Sequence, residues 1–171
     1  MGDPNTAGSP RVTEGPSATG RRRTPSRPAR WAAFACALLA LAGCGGPVRV
    51  EPPAPQGQAA AGCRALGGRL PAELDGAERT ESEPASPYVA VWGGGEIALR
   101  CGVPRPPSMS ATAEVPEIDG VAWFSDPARP LLFTAIGREA YVEVTVSRKH
   151  VPESVLVDLA APIKAALPQT G

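Results

Sequence analysis

The stretch "PLLFTAIGREAYVEVTV", from Pro130 to Val146, decides the fold of this chain. Two runs of alternating apolar and polar residues flank Gly137-Arg138, a pair that suits a two-residue hairpin loop with glycine first. We therefore expect an antiparallel hairpin with one buried face. The predicted register gives this face three apolar pairs and the other face two mixed ones: Phe133 with Val142, Leu131 with Val144, Ala135 with Ala140, then Thr134 with Tyr141 and Leu132 with Glu143.

A second hairpin is predicted upstream, in "YVAVWGGGEIALRC", from Tyr88 to Cys101. Gly93 to Gly95 read as a three-residue loop. Residues of a strand alternate between the two faces of its sheet, so this loop length fixes which side chains share a face. The core face would carry Val89, Val91, Ile97, Leu99 and Cys101, and the outer face Tyr88, Trp92, Glu96 and Arg100.

A further strand and two helices complete the predicted domain. "GVAWF" begins at Gly120 and reads as a strand, and "CRALGGRLPAEL" places Cys63, Leu66 and Leu70 on one helical stripe. The closing "VPESVLVDLAAPIKAALP" has a helical apolar period, with Pro152 at its start and Pro162 predicted to kink or divide it. We expect an α+β domain over residues 62–168. It has an antiparallel sheet of about five strands, an N-terminal and a C-terminal helix on one face, and a tail at 169–171.

Two of the four cysteines are predicted to form a disulfide. Cys36 lies in a segment that would be removed on export, and Cys44 has a separate role described below. The remaining pair, Cys63 and Cys101, has neither the spacing nor the histidine neighbours of a metal site or a redox pair. A helix lying on the sheet would bring Cys63 over Cys101, so we expect one disulfide.

The outer face of the sheet is a candidate interaction surface. Aromatic residues and arginine are enriched where proteins bind each other. The same residues also form ordinary cross-strand pairs, with Arg100 stacked on an aromatic ring, and the sequence leaves both interpretations open. The residues concerned are Tyr88, Trp92, Arg100, Tyr141 and Glu143.

The first 43 residues have the features of an export signal. Residues 1–30 contain six arginines and two acidic residues and lack the apolar residues of a core, so we expect them to be disordered. Residues 31–43, "WAAFACALLALAG", are uncharged but short of the roughly 20 residues of a membrane span. This order is typical of a signal peptide. A buried helix is the alternative.

The signal ends in a motif for lipid attachment. Leu41-Ala42-Gly43-Cys44 resembles the lipobox of bacterial lipoproteins, in which the cysteine sulfur takes a diacylglyceryl group and becomes the first residue. The alternative is a simple secretory signal with Cys44 as a spare thiol. Residues 44–61, rich in Gly, Pro and Ala, are predicted to form a flexible tether to the domain. The chain would then lie on the outer face of the cell membrane, held by its lipid.

Charge and motifs exclude several function classes. From Cys44 onward the chain has 11 basic and 15 acidic residues, which disfavours nucleic acid as a partner. No nucleophile elbow, phosphate-binding loop or dinucleotide fingerprint is present, so we assign no catalytic residue and no cofactor. The single histidine, His150, reads as solvated, and we assign no metal site because the usual zinc ligands are absent once the cysteines pair.

Several short motifs resemble a known family. "PYVAVWG", "LRCGVPRP", "GVAW", "TAIGREAYVEVTV" and "LAAPIKAALP" occur in order between Cys63 and Pro168. They are similar to those of uncharacterised actinobacterial exported proteins grouped as domain of unknown function 3515. The resemblance implies an envelope protein with a lipobox or another N-terminal anchor. It supplies no activity and no catalytic residues.

Two classes of function follow from these observations. The first is a non-catalytic binding or assembly module with an envelope protein as partner. The second is a cell-wall-directed hydrolase, for which Glu96, Glu114, Asp119 and Asp126 are the candidate carboxylates. A carrier for a small apolar ligand is a further alternative, and it would need a cavity between the helices and the sheet.

Overall fold

The computed structural model describes residues 46–170. Its elements follow the chain in this order: β1 (Val48–Arg49), α1 (Gly57–Gly67), β2 (Glu73–Leu74), β3 (Ala77–Thr80), β4 (Ser82–Glu83), β5 (Val89–Trp92), β6 (Ile97–Val103), β7 (Glu117–Ile118), β8 (Val121–Asp126), β9 (Arg129–Ile136), β10 (Tyr141–Val146) and α2 (Pro152–Ala166).

The main sheet confirms the predicted α+β class but has eight strands, so the expected number of about five is wrong. Its order is β2-β3-β5-β6-β10-β9-β8-β7, and every neighbouring pair in it is antiparallel. The five expected strands are β5, β6, β8, β9 and β10. Of the added strands, β2 and β7 have two residues each, and β3, "AERT", is polar after its first residue, so none of them shows an apolar alternation. A separate parallel pair joins β1 to β4.

Two of the added strands enter the sheet through tight Asp-Gly turns. Asp75-Gly76 joins β2 to β3, and Asp119-Gly120 joins β7 to β8. All four residues have positive φ, with 48° at each aspartate. Asp-Gly is a preferred pair for two-residue hairpin loops of this kind, because both central residues need a left-handed backbone.

Both helices contribute to one hydrophobic core on a single face of the sheet. Cys63 and Leu66 of α1 and Leu159 and Ile163 of α2 are fully buried there. The Cys63–Cys101 disulfide joins α1 to β6, with 5.5 Å between the two Cα atoms, and confirms the predicted pairing. We call this face the core face and the opposite one the outer face.

Trp92 lies on the core face, contrary to the prediction. The β5–β6 loop has four residues, Gly93 to Glu96, so Trp92 pairs with Ile97. A difference of one residue from the predicted loop reverses the face of every residue in β5. Trp92 is therefore fully buried, and its Nε1 donates to the carbonyl of Pro71 at 3.1 Å. Tyr88 also packs against the core, whereas Val89 and Val91 take the outer face.

The β9–β10 hairpin keeps its predicted faces although its register differs. Val142 pairs with Ala135 and Val144 with Phe133, a shift of two residues from the expected pairs. An even shift leaves each side chain on the same face. Ala135, Val142 and Val144 are accordingly buried in the core, while Glu143 faces outward with Thr134.

The C-terminal helix is continuous, so Pro162 does not divide it. Pro152 occupies the first turn, as predicted, and Pro162 lies inside the helix. A proline leaves the carbonyl four residues earlier without its helical partner. That residue here is Asp158, which lies on the exposed side of α2, where water can bind its carbonyl.

Residues 46–61 differ from the predicted flexible tether. Residues 57–61 form the first half of α1, so the folded part begins before residue 62. Residues 47–55, which we call the N-terminal strap, run along the outer face of β6. The Arg100 Nε donates to the carbonyl of Glu51 at 3.0 Å, and Pro55 packs against Gly102. The strap therefore belongs to the domain.

Candidate functional site

Within residues 46–170, no helix lies on the outer face, which is partly covered by irregular chain. The N-terminal strap lies over β6, and the proline-rich segment 104–107 borders the neighbouring strands. Between that segment and the sheet lies a cleft of about 270 Å³, which we call the outer cleft. It is lined by residues of β6, β8, β9 and β10, among them Arg100, Thr134, Glu143, Asp126 and Arg129.

One wall of the outer cleft is an ion pair between neighbouring strands. Arg100 of β6 and Glu143 of β10 are register partners, and their side chains meet at 3.0 Å. The two side chains are 32% and 18% exposed, so the pair is accessible but not fully hydrated. A second bond from Arg100 reaches the strap at Glu51. The guanidinium is thus held in one orientation with part of its surface free for a ligand.

The opposite wall is a second ion pair in the β8–β9 turn. Arg129 donates to Asp126 at 3.0 Å, and the backbone N–H of Ala128 donates to the other oxygen of Asp126 at 2.9 Å. The hydrogen bond from Arg129 lowers the pKa of Asp126 below its usual 3.8, although burial opposes this effect. The carboxylate therefore stays charged under physiological conditions, and the Arg129 side chain, 64% exposed, extends from it.

The proline-rich segment beside the cleft is held in shape by hydrogen bonds within its own loop. Arg105 donates to the carbonyl of Met109 at 2.8 Å, and Met109 is buried. Prolines at 104, 106 and 107 restrict the backbone of this segment. The cleft therefore has one wall that is stiff without being part of the sheet.

The structure brings together two of the five residues predicted for an interaction face. Arg100 and Glu143 form the ion pair in the outer cleft. Tyr141 lies on the same face, opposite Val103, at the β6 bulge. Tyr88 and Trp92 are on the core side, where Arg64 donates to the Tyr88 hydroxyl at 2.8 Å and the Arg79 guanidinium lies 5.9 Å from the Trp92 ring. The arginines that contact these two rings are thus Arg64 and Arg79, whereas Arg100 pairs with Glu143.

An apolar groove adjoins the outer cleft. It has a volume of about 490 Å³ and lies where β9 begins and β10 ends. Leu132 and Arg129 line both cavities. The remaining lining residues of the groove are Pro130, Leu131, Thr145 and Arg148. Its walls are apolar, with an arginine on either side.

A histidine cluster that the sequence did not predict lies at the same end of the sheet. The His150 Nδ1 is 3.1 Å from Asp75, and its Nε2 is 3.0 Å from Glu96. Lys149 bonds the second oxygen of Glu96, and the Val151 N–H donates to Asp75 at 3.2 Å. The cluster thereby joins the β2–β3 turn, the β5–β6 loop and the start of α2.

The protonation of this cluster follows from its contacts. Burial lowers the pKa of His150, but hydrogen bonds and charges from Glu96 and Asp75 outweigh it and leave this pKa above 6.5. Hydrogen bonds from Lys149 and His150 lower the pKa of Glu96. The His150 side chain is only 9% exposed, so the expectation of a solvated histidine is wrong. Both ring nitrogens contact carboxylates, which leaves neither free to take a proton from a substrate.

Three of the candidate catalytic carboxylates are paired with cations at separate places. Glu96 contacts Lys149 and His150, Asp126 contacts Arg129, and Asp119 is 3.5 Å from Lys164. Glu114 is exposed in the segment between β6 and β7. In the part of the chain that the structure describes, no group of three or more His, Cys, Asp or Glu residues is arranged to hold a metal ion.

The predicted lipidation site and signal peptide lie outside the described residues, which begin at Gly46. Within 46–170, neither helix has the length and hydrophobicity needed to cross a bilayer.

A family model described as a protein of unknown function, DUF3515, matches residues 32–171, and the chain belongs to this family. No curated protein and no solved structure matches the chain significantly.

Proposed function

We propose that this DUF3515 protein is a lipid-anchored protein of the cell envelope that binds another envelope protein through the outer cleft. The lipid is attached at Cys44, outside the cytoplasm, after removal of residues 1–43. The protein acts by binding, and the outer cleft receives a segment of the partner. The observation that carries this proposal is the partly exposed Arg100–Glu143 pair in a cleft on a face that no helix of the described residues covers.

The disulfide supports the proposed location. Structural disulfides persist in oxidising surroundings and are rare in a reducing cytoplasm. Cys63 and Cys101 are both fully buried, and they join the first helix to a central strand. Such a bond suits a domain that folds after export. The lipobox-like residues before Cys44 supply the means of attachment.

The size and charge of the outer cleft support a protein partner. Its volume of about 270 Å³ lies just below the range of roughly 300–1,000 Å³ that is typical of small-molecule sites. One or two side chains of a partner would fill it. Arg100 and Glu143 offer a fixed donor and acceptor, while Leu132 and Val103 offer apolar contact. Such a combination gives specificity in protein interfaces.

Site-specific photo-crosslinking in living cells tests the proposal. A photoreactive residue at Pro107, which is exposed and lines the cleft, should give a discrete adduct with one envelope protein. The same residue at Asp158, on the exposed side of α2, serves as the matched control. The double variant Arg100→Glu with Glu143→Arg keeps the ion pair but exchanges its charges. It should abolish the Pro107 adduct and leave any Asp158 adduct unchanged.

The stability of the exchanged variant makes the result interpretable. Because the pair is retained, its thermal unfolding midpoint should stay within a few degrees of the wild-type value. A Pro107 adduct that persists in this folded variant would show that the cleft charges do not select the partner. No adduct at Pro107 in the wild type would contradict the proposed surface itself.

A further inference from the structure

The path of the N-terminal strap determines which end of the domain lies nearest to Cys44. Gly46 lies beside Gly94 and Glu81, and Val48 contacts Gly95 in the β5–β6 loop. Seven residues later, Pro55 reaches Gly102, at the other end of β6. The chain therefore enters at the end of the sheet where β5 ends and β6 begins. We call this the entry end.

The distance from the entry end to Cys44 is short. Two peptide units separate Gly46 from Cys44, and each spans at most about 3.8 Å between Cα atoms. A lipid on Cys44 would thus hold the entry end close to the bilayer, since residues 47–55 lie on the sheet and provide no spacer. The strap is held by backbone bonds from Val48 and Val50 to the carbonyls of Glu81 and Glu83, both at 3.1 Å.

The entry end combines basic and apolar side chains. The strand order and register place the start of β9, the end of β10 and the start of α2 there. Arg129 and Arg148 flank the apolar groove, and the Lys149 side chain is 73% exposed. Val151, 58% exposed, is the most exposed large hydrophobic residue in the described part of the chain. Arginine and lysine beside exposed apolar groups suit an anionic membrane surface.

Three acidic groups at this end are paired with basic side chains, and the others are exposed. Asp75 and Glu96 contact His150, Glu96 also pairs with Lys149, and Asp126 contacts Arg129. Glu73, Glu78 and Glu81 are exposed on the side of this end formed by β2, β3 and the residue that follows β3, and Glu81 lines a pocket with Gly46. Glu153 is exposed in the first turn of α2.

We infer that the entry end rests on the anionic surface of the bilayer. Arg148 and Lys149 contact lipid headgroups, and the apolar groove with Val151 faces the interface. This inference depends on the proposed lipid at Cys44. It orients the domain so that α2 runs away from the membrane, from Pro152 at the entry end to Leu167 at the far end, where Arg138 bonds the Leu167 carbonyl.

Fluorescence quenching on vesicles tests this orientation. The mature lipoprotein is inserted into vesicles of equal parts phosphatidylglycerol and phosphatidylcholine that contain a headgroup-labelled quencher. A fluorophore is attached at Ala128→Cys, in the exposed β8–β9 turn of the entry end, or at Gln169→Cys, at the far end. The Ala128→Cys label should be strongly quenched and the Gln169→Cys label should not.

A charge variant isolates the headgroup contact. Arg148→Gln with Lys149→Gln should reduce the ratio of docked to undocked domain by about 25-fold, since each surface charge accounts for about a fivefold change. Quenching at position 128 should fall accordingly. Arg64→Gln with Lys164→Gln removes the same charge from α1 and α2, and should leave quenching unchanged.

The outcomes separate this inference from the proposed function. Vesicle flotation shows whether the lipid is present. Protein that floats while its Ala128→Cys label stays unquenched would overturn the inference and leave the lipid anchor intact. Equal quenching of both labels would also overturn it. Protein that neither floats nor carries a lipid would overturn the inference and the proposed anchor together.

Discussion

Gly102 and Pro55 lie so close together that no side chain fits between them. A Cβ placed on Gly102 would be 2.5 Å from the Cβ of Pro55, and Gly102 has a φ of 89°. This contact seats the end of the N-terminal strap on β6, just before α1 begins. A segment whose composition predicts a flexible tether is thus fixed on the sheet.

Gly102→Ala should release the strap. The added methyl group clashes with Pro55, so residues 47–55 should lose protection from amide hydrogen exchange while β9 and β10 keep theirs. Gly94→Ala is the matched control, because Gly94 also has a positive φ (64°) but has no atom within 4 Å of its Cβ position. It should cost about 1 kcal/mol of backbone strain and leave the strap protected. Equal protection of the strap in both variants would contradict the packing described.

The histidine cluster should make stability depend on pH. The pKa of His150 is raised above 6.5, so its contribution to the free energy of unfolding is complete below that pH and is lost as the pH rises through the folded-state pKa. The urea concentration at the midpoint of unfolding should therefore decrease as the pH is raised from about 6 to about 8. His150→Gln, which stays neutral, should flatten this dependence.

Two acidic groups titrate outside that window. Glu96 and Asp126 have lowered pKa values, so their contributions are lost only when the pH falls below about 4.5 and 3.8 respectively. An unaltered slope between about pH 6 and pH 8 in His150→Gln would show that the cluster is not its source.

Loss of the disulfide should strongly destabilise the domain. Cys63 and Cys101 are 38 residues apart, and closing a loop of this length stabilises by about 4 kcal/mol in the chain-entropy model. Chemical denaturation with and without reductant measures the difference. Cys63→Ser with Cys101→Ser should match the reduced wild type and should not respond to reductant. A wild type that is equally stable in both conditions would exclude a structural role for the bond.

Arg138 should be required for the end of α2. It is buried, and it donates to the carbonyl of Leu167 at 2.9 Å and to that of Gly120 at 2.7 Å. Arg138→Ala leaves both carbonyls without these bonds and should lower the free energy of unfolding by about 3 kcal/mol. Arg138→Lys keeps the charge, but a single ammonium group cannot bond both carbonyls as the guanidinium does. Its free energy of unfolding should lie between those of the wild type and Arg138→Ala. Equal stability of all three proteins by urea denaturation would refute this role.

The sequence predicts those elements whose pattern is long enough to read. The strands β5, β6, β8, β9 and β10, both helices and the disulfide follow from apolar content and alternation, helical period and the number of cysteines left after export. The strands β2, β3 and β7 are missed because β2 and β7 have only two residues and β3, "AERT", is almost entirely polar. The sequence feature that indicates them is the Asp-Gly pair at 75–76 and at 119–120, since Asp-Gly between two apolar residues is typical of a tight hairpin.

The candidate site is harder to predict because it depends on loop length and on contacts distant in sequence. One extra residue in the β5–β6 loop moves Trp92 into the core, whereas a shift of two in the β9–β10 hairpin leaves Glu143 outside. His150 meets Asp75 across 75 residues of chain. A contact between residues so far apart in sequence leaves no local pattern, and the sequence alone therefore predicts a solvated histidine.

Mass spectrometry of the native protein from the membrane fraction tests the central claim most directly. We expect a mature chain whose first residue is Cys44, with a diacylglyceryl group on its sulfur, and a linked peptide pair containing Cys63 and Cys101. A chain that retains residues 1–43 and has an unmodified thiol at position 44 would contradict the account.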